Sequence, residues 1–375
     1  MKSILNILTL LSLSTAFAQQ KPVIFINGTA HLGNGKVIEK SAITIQNGII
    51  TSVEEAKSAT IDPTRAEVID INNRHLYPGM IAPNTKLGLE ELEAVRATLD
   101  YQEVGSMNPN VRSVIAYNAE SNIIPTVRSN GVLLAQITPQ GDLIPGTSSV
   151  MKLNGWNWED AVQKTDIAVH LNWPAMYIIN AAYAGTADEQ KERMDKALKE
   201  IKNYFDDAKA YAQLRNSENK NLKFEAMKGL FNGSKKLFIR ADFAKEIIAA
   251  VNFAKIYNIK PVIVGGDDAT LVMDFLKQNN IAVILDRPHS LPSRNEEDID
   301  LPYKKAAMLH DAGILCALSI SGSWQQRNLP FMAGTAATYG LSKEDALQSV
   351  TLNTAKILGI DKTVGSIEIG KEATL

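Results

Sequence analysis

The spacing of apolar and polar positions changes along this chain. From Pro22 to Ile71 it falls in short β-rich runs separated by turn signals: Val23 to Ile26 before Asn27-Gly28, Ala42 to Ile45 before Gln46-Asn47-Gly48, then Ile49 to Val53. Asn-Gly between apolar runs is a hairpin cue, because both residues accept the positive φ of a tight turn. The pattern predicts a small antiparallel β unit.

Beyond Pro78, short apolar strands are each followed by an amphipathic helix. Leu237 to Arg240 precedes a segment in which Ala244, Ile247, Ile248, Val251 and Ala254 recur at helical spacing. Pro261 to Val264 precedes Ala269 to Gln278, Ile281 to Leu285 precedes Tyr303 to Ala312, and Ile314 to Leu318 precedes Phe331 to Tyr339. Repeated strand-helix units predict a parallel sheet, and their spacing fits a barrel and a doubly wound sheet equally. Gly365 to Gly370 reads as one more strand, so the two chain ends are expected to build one small β domain beside the α/β domain. The sequence stops at Leu375 in mid-strand, as though part of that domain lay beyond it. The charged, Ala-rich stretch from Thr186 to Arg215 predicts a solvated helix.

Composition adds bounds. The 375 residues are 45% hydrophobic and 21% charged, which suits a well-cored chain of one large or two smaller domains. With a net charge of -2 and no long basic run, there is no electrostatic footprint for nucleic acid. Residues 1–18 carry Lys2, an apolar run and Ala16-Phe17-Ala18, the pattern of a cleaved export signal, and the run is too short to span a membrane. The expectation is export, periplasmic residence and a mature chain starting near Gln19. Cys316 is the one cysteine, so neither an internal disulfide nor a Cys-based zinc site is available.

The Pro78-Gly79-Met80-Ile81 frame after the β-rich unit resembles the first barrel strand of the amidohydrolase superfamily, in particular its imidazolonepropionase-like branch. Phe238 to Asp242, Val264-Gly265-Gly266, Leu309 to Gly313, Arg327 to Phe331, Tyr339 to Leu341, Leu352 to Gly359 and Gly365 to Lys371 agree with it. The resemblance covers nearly the whole chain after Pro22, and the closing motifs are its most specific part. It implies a (β/α)8 barrel (77–360) flanked by a small β-sandwich domain built from both chain ends (19–76 and 361–375), with the working site at the C-terminal ends of the barrel strands.

It also implies hydrolysis of C–N bonds, commonly in cyclic amides, by water activated on zinc or a related ion. The first-strand pattern that supplies an aspartate and two histidine ligands in such relatives reads Ala82, Asn84 and Lys86 here. Arg240 stands where the fifth strand should end in a histidine. Neither ammonium nor guanidinium has a lone pair to give. The sixth strand ends in Gly265-Gly266, and the eighth runs Ala317 to Gly322 with Ser319 and Ser321 but no carboxylate.

Of the five histidines, His31, His75, His170 and His310 read as structural or exposed, and His289 as the one near the working face. Asp286 with His289 is the candidate acid/base pair. Asp267 and Asp268 read as helix caps. Two readings follow. In one, the zinc site is lost, no cofactor is needed, and Asn84, Lys86, Arg240, Asp242, Ser319 and Ser321 form a basic pocket for a small anionic or amide-containing molecule. Such a chain also suits a homo-oligomer or a partner of an active paralogue. In the other, an active amide hydrolase uses Asn84, Asp242, Asp286 and His289 as unconventional ligands.

Overall fold

The computed structural model describes residues 21–214 and 220–375. The expected export signal lies outside the described residues. Among those described, no helix is long and apolar enough to cross a membrane. The chain divides into two compact units: Val37–Tyr77 and Ile367–Ala373 join the first strand in the smaller, and Pro78–Ser366 forms most of the larger.

The smaller unit is a sheet of β1 (Val23–His31), β2 (Val37–Gln46), β3 (Ile49–Glu55), β4 (Glu67–Asp70) and β5 (His75–Leu76). Its order is β3-β2-β1-β4, with β5 also on β1. The first three strands pair antiparallel, whereas β4 and β5 run parallel to β1, so the sheet is mixed rather than antiparallel. Asn47 and Gly48, at φ 53° and 77°, make the hairpin turn between β2 and β3. Asn27-Gly28 makes none. There β1 continues through a bulge, with register shifts on both sides of Gly28 and Asn27 at φ 61°. A Cβ on Gly28 would lie 2.0 Å from Ile71 Cδ1, so this glycine serves a close approach. The expected closing strand is also replaced: Gly365 and Gly370, at φ 94° and 88°, break the extended run. What remains is an isolated antiparallel bridge of Ile49 with Glu372 and three backbone bonds, Ile50 N–H to Lys371 O, Gly370 N–H to Ile50 O and Ala373 N–H to Gly48 O, each 2.8 Å.

The larger unit is a nearly closed eight-stranded barrel whose strands follow in chain order. They are β6 (Met80–Thr85), β7 (Val132–Ile137), β8 (Thr147–Lys152), β9 (Val162–Asn172), β10 (Lys236–Ala241), β11 (Pro261–Gly265), β12 (Ala282–Leu285) and β13 (Cys316–Leu318). Only β8 departs from the parallel arrangement, running antiparallel to β7 and β9. Residues 138–146 and 153–161, which flank it, are shorter than the dozen or so residues a parallel crossover needs.

Every barrel strand gives at least one residue to an apolar cluster that plugs the interior, among them Ile81, Leu134, Val150, Ala168, Phe238, Val264, Ile284 and Ala317. The outer faces pack on helices. Ala244–Ile256 buries Ile247, Ala250, Val251 and Ala254, with Ile248 at the exposed edge. The long helix Ala187–Ala212 opens on a Thr186–Glu189 capping box and buries Ile201, Phe205, Ala208 and Tyr211. That i, i+4, i+7, i+10 stripe corrects the solvated-helix expectation, since a fully buried Phe stabilises by about 2–3 kcal/mol.

Candidate functional site

Side chains alternate along a strand, so the residue two beyond each plug position faces the barrel interior one layer nearer the working end. That layer holds Gln136, His170, Arg240, Gly266, Asp286 and Ser319, and antiparallel β8 supplies Ser148 by counting backward. Here the strands would have to converge on an ion.

Half of the layer is a closed polar network. The Asn84 N–H donates to Gln136 Oε1 at 3.0 Å, and Gln136 Nε2 donates to Ser148 Oγ at 3.0 Å. Ser148 Oγ lies 2.7 Å from His170 Nε2. Burial pushes the His170 imidazole down to about 3, so the ring is neutral and its Nε2 suits the Ser148 proton. His170, which reads in sequence as structural or exposed, is buried on β9, inside the barrel. The signal for it was the apolar run Ile167 to Leu171 with a histidine on the same face as Ala168.

The other half is an ion-pair cluster. Arg240 Nη2 lies 2.6 Å from Asp286 Oδ2 and 3.6 Å from Asp242 Oδ2. Ser319 Oγ donates to Leu285 O at 2.9 Å and to Asp286 Oδ1 at 3.2 Å. Asp242 occupies the space above Gly265, where a Cβ would lie 2.0 Å from Asp242 Oδ1. Burial in first place, opposed by Arg240 and aided by Asp286, Asp267 and Glu246, pushes the Asp242 carboxyl up to about 6.

Two connected hollows open above these residues. One of about 410 Å³ is lined by Arg240, Asp242, Asp267, Asp286, Arg287 and Lys305 among others. A second, of about 710 Å³, adds Asn84, Lys86, Glu90, Glu91, Glu93, Tyr101 and Trp324. Both share Arg240, Asp286, Arg287 and Ser321, which therefore mark their junction.

The expected basic pocket needs correction. Four cations, Lys86, Arg240, Arg287 and Lys305, face six carboxyl groups, so the cleft is not net basic. Lys86 is ion-paired with Glu90 and rests 4.5 Å over the Tyr101 ring. Lys305 holds Asp267 at 2.6 Å. Exposed Arg287, which sequence reading passed over because it sits in a loop, has no side-chain partner among the described residues.

The Asp286–His289 pair does not form either. Asp286 is taken by Arg240 and Ser319, while exposed His289 puts Nε2 2.5 Å from Thr335 Oγ1 and its ring edge against Tyr303. The Asp caps are corrected likewise: Asp268 makes no cap bond to the helical turn that follows it but receives two 2.7 Å bonds from Arg294 and one from the Ala244 N–H, the first of the helix Ala244–Ile256.

The donor set does not fit the metal that the resemblance implies. Asn84 faces the cleft beside an ammonium, and His170 is committed to Ser148. The guanidinium of Arg240 fills the position between Asp242 and Asp286 that a cation would take. Among the described residues, no group of three or more His, Cys, Asp or Glu side chains is placed to hold an ion.

An eight-stranded barrel with its polar residues gathered at one mouth defines the class, and comparison with known proteins supplies the family. The amidohydrolase family matches residues 181–375, just over half of the chain, and this chain belongs to it. An amidohydrolase from Thermotoga maritima is similar in structure, with a TM-score of 0.81 at 25% identity over 94% of this chain and 92% of that one. Two imidazolonepropionases share shorter stretches. That of Shewanella frigidimarina is 60% identical over 35 residues, 9% of this chain and 8% of its own. That of Fusobacterium nucleatum is 36% identical over 77 residues, 20% of this chain and 19% of its own. The matches thus span less than a fifth of these curated relatives.

Proposed function

We propose that this chain is an exported, metal-independent member of the amidohydrolase family that binds a small carboxylate-bearing molecule at the barrel mouth. The observation that carries this reading is Arg240. Its guanidinium is a built-in cation held by Asp242 and Asp286, on the strand end where the family pattern calls for a histidine ligand. Arg287 is then the cation available to a ligand carboxylate, since the charges of Lys86 and Lys305 are already matched. Ser321 and the Tyr101 and Trp324 rings line the adjoining walls. Export rests on the pattern of residues 1–18.

The test is a melting-temperature screen of the purified mature protein against small mono- and dicarboxylates, run with and without zinc or manganese. Some carboxylates should raise the melting temperature without metal, and Arg287→Ala should abolish the rise while Lys86→Ala leaves most of it. A tightly held stoichiometric ion that persists when His31 and His75 are replaced, or a ligand response untouched by Arg287→Ala, overturns the proposal.

A further inference from the structure

We infer that His31 and His75, on the face of the smaller sheet, form a two-imidazole site for a late first-row transition ion, Cu2+ foremost. The inference is independent of the barrel, because both residues and Tyr77 belong to the smaller unit.

The ladder brings them together. In the parallel pairing of β1 with β5, Thr29 stands opposite His75 and Ala30 opposite Leu76. By strand alternation His31 lies on the face of Thr29, and Tyr77 on the face of His75. The result is His31 Nε2 at 2.9 Å from His75 Nδ1, with the Tyr77 ring 4.5 Å from the His31 ring and only 9° from parallel. His75 is exposed and His31 half-buried, so solvent reaches the pair from one side.

That spacing suits an ion as well as a proton. Two imidazole nitrogens bound at about 2.0 Å in adjacent corners of a tetragonal complex lie about 2.8–2.9 Å apart. The nitrogens are thus already at the separation that adjacent ligands adopt, and tilting the two rings turns both lone pairs to a common point on the solvent side. The ion replaces the proton shared between the rings, and water fills the remaining positions. Square or tetragonal nitrogen coordination favours Cu2+, which also leads the affinity order over Zn2+. Binding requires both rings neutral, so protons compete and affinity falls as pH is lowered. With two protein donors the site is open and weaker than a closed three- or four-donor centre.

The experiment is calorimetric titration of Cu2+ into tag-free, metal-stripped protein, paired with visible absorption of the bound ion. One saturable equivalent per chain is expected, with Zn2+ weaker. His31→Gln and His75→Gln should each lower affinity by more than about a hundredfold, beyond the range typical of losing an outer-shell partner alone, while His289→Gln leaves it intact. Circular dichroism of the variants guards against misfolding. Absence of saturable binding, or undiminished affinity in either of the two variants, overturns the paired site. Retention in both also places any ion elsewhere, the barrel mouth included, and so bears on the metal-independent reading separately.

Discussion

At Arg240 a single side chain changes the electrostatics of the barrel mouth, because it carries its charge on a stem that no proton loss can neutralise. Its two carboxylate partners are unequal. Asp286 takes the short bond, and Asp242, at 3.6 Å, is left to desolvation and to its acidic neighbours. An aspartate whose folded-state value is raised to about 6 binds a proton more tightly folded than unfolded. Its contribution is therefore most favourable below pH of about 4, the unfolded value, and is lost as pH rises through about 6. We predict that Asp242→Asn, which keeps the shape and removes the charge, flattens this dependence. The variant should match the parent near pH 4 and exceed it at pH 7 by on the order of 1 kcal/mol, discounted for the side chain's partial exposure. Urea denaturation across that range checks the sign; a variant less stable at pH 7 contradicts it.

Gly265 belongs to the same residue-scale argument. Its φ of 96° and the 2.0 Å approach of Asp242 Oδ1 to a would-be Cβ tie two strand ends together. Gly265→Ala should cost roughly 1–3 kcal/mol, from backbone strain and a displaced carboxylate. The midpoint of denaturant unfolding measures it.

Among the elements, the segment from β12 to the helix Leu301–Asp311 shows how charge pins a loop beside a site. Arg294 bonds both oxygens of Asp268 and also Glu297, while Lys305 holds Asp267. Two adjacent aspartates before an apolar run look like helix caps in sequence, and only the approach of residues 26 and 38 positions away turns them into anchors. Asp268→Ala should cost roughly 2–4 kcal/mol, since it leaves a partly buried guanidinium and the Ala244 N–H without their acceptor. Faster proteolytic nicking within 286–300 is the companion readout; an unchanged cleavage rate would show that other contacts hold this loop. The two Asn-Gly pairs make the same point for strands. One turns the chain and the other bulges it, because β4 and β5 pair along β1 and keep it extended past Gly28.

For the whole molecule, the consequence is the response to metal. An ion bound to the folded state at a hundredfold excess over its Kd adds about 2.7 kcal/mol of stability. A barrel whose own arginine bridges the carboxylates forgoes that term. Exhaustive chelation should leave the melting temperature of a His31→Gln, His75→Gln double variant unchanged, by calorimetry; a drop of several degrees would reveal an ion in the barrel.

The sequence by itself determined the periods, and with them the β-rich start, the succession of strand-helix units, the amidohydrolase kinship and the absence of the usual ligand types at Ala82, Asn84, Lys86 and Arg240. Those are properties of local pattern and residue chemistry, which a linear reading can reach. Only the tertiary structure decided which partners the remaining charges take, because an ion pair depends on where distant strands and loops meet. It turned Lys86 from a free cation into the partner of Glu90 and parted Asp286 from His289. It also ran β8 antiparallel and set His170 inside the barrel, where burial fixes its neutral state. Arg287, left by the same packing without a side-chain partner among the described residues, is the charge that no local pattern singles out.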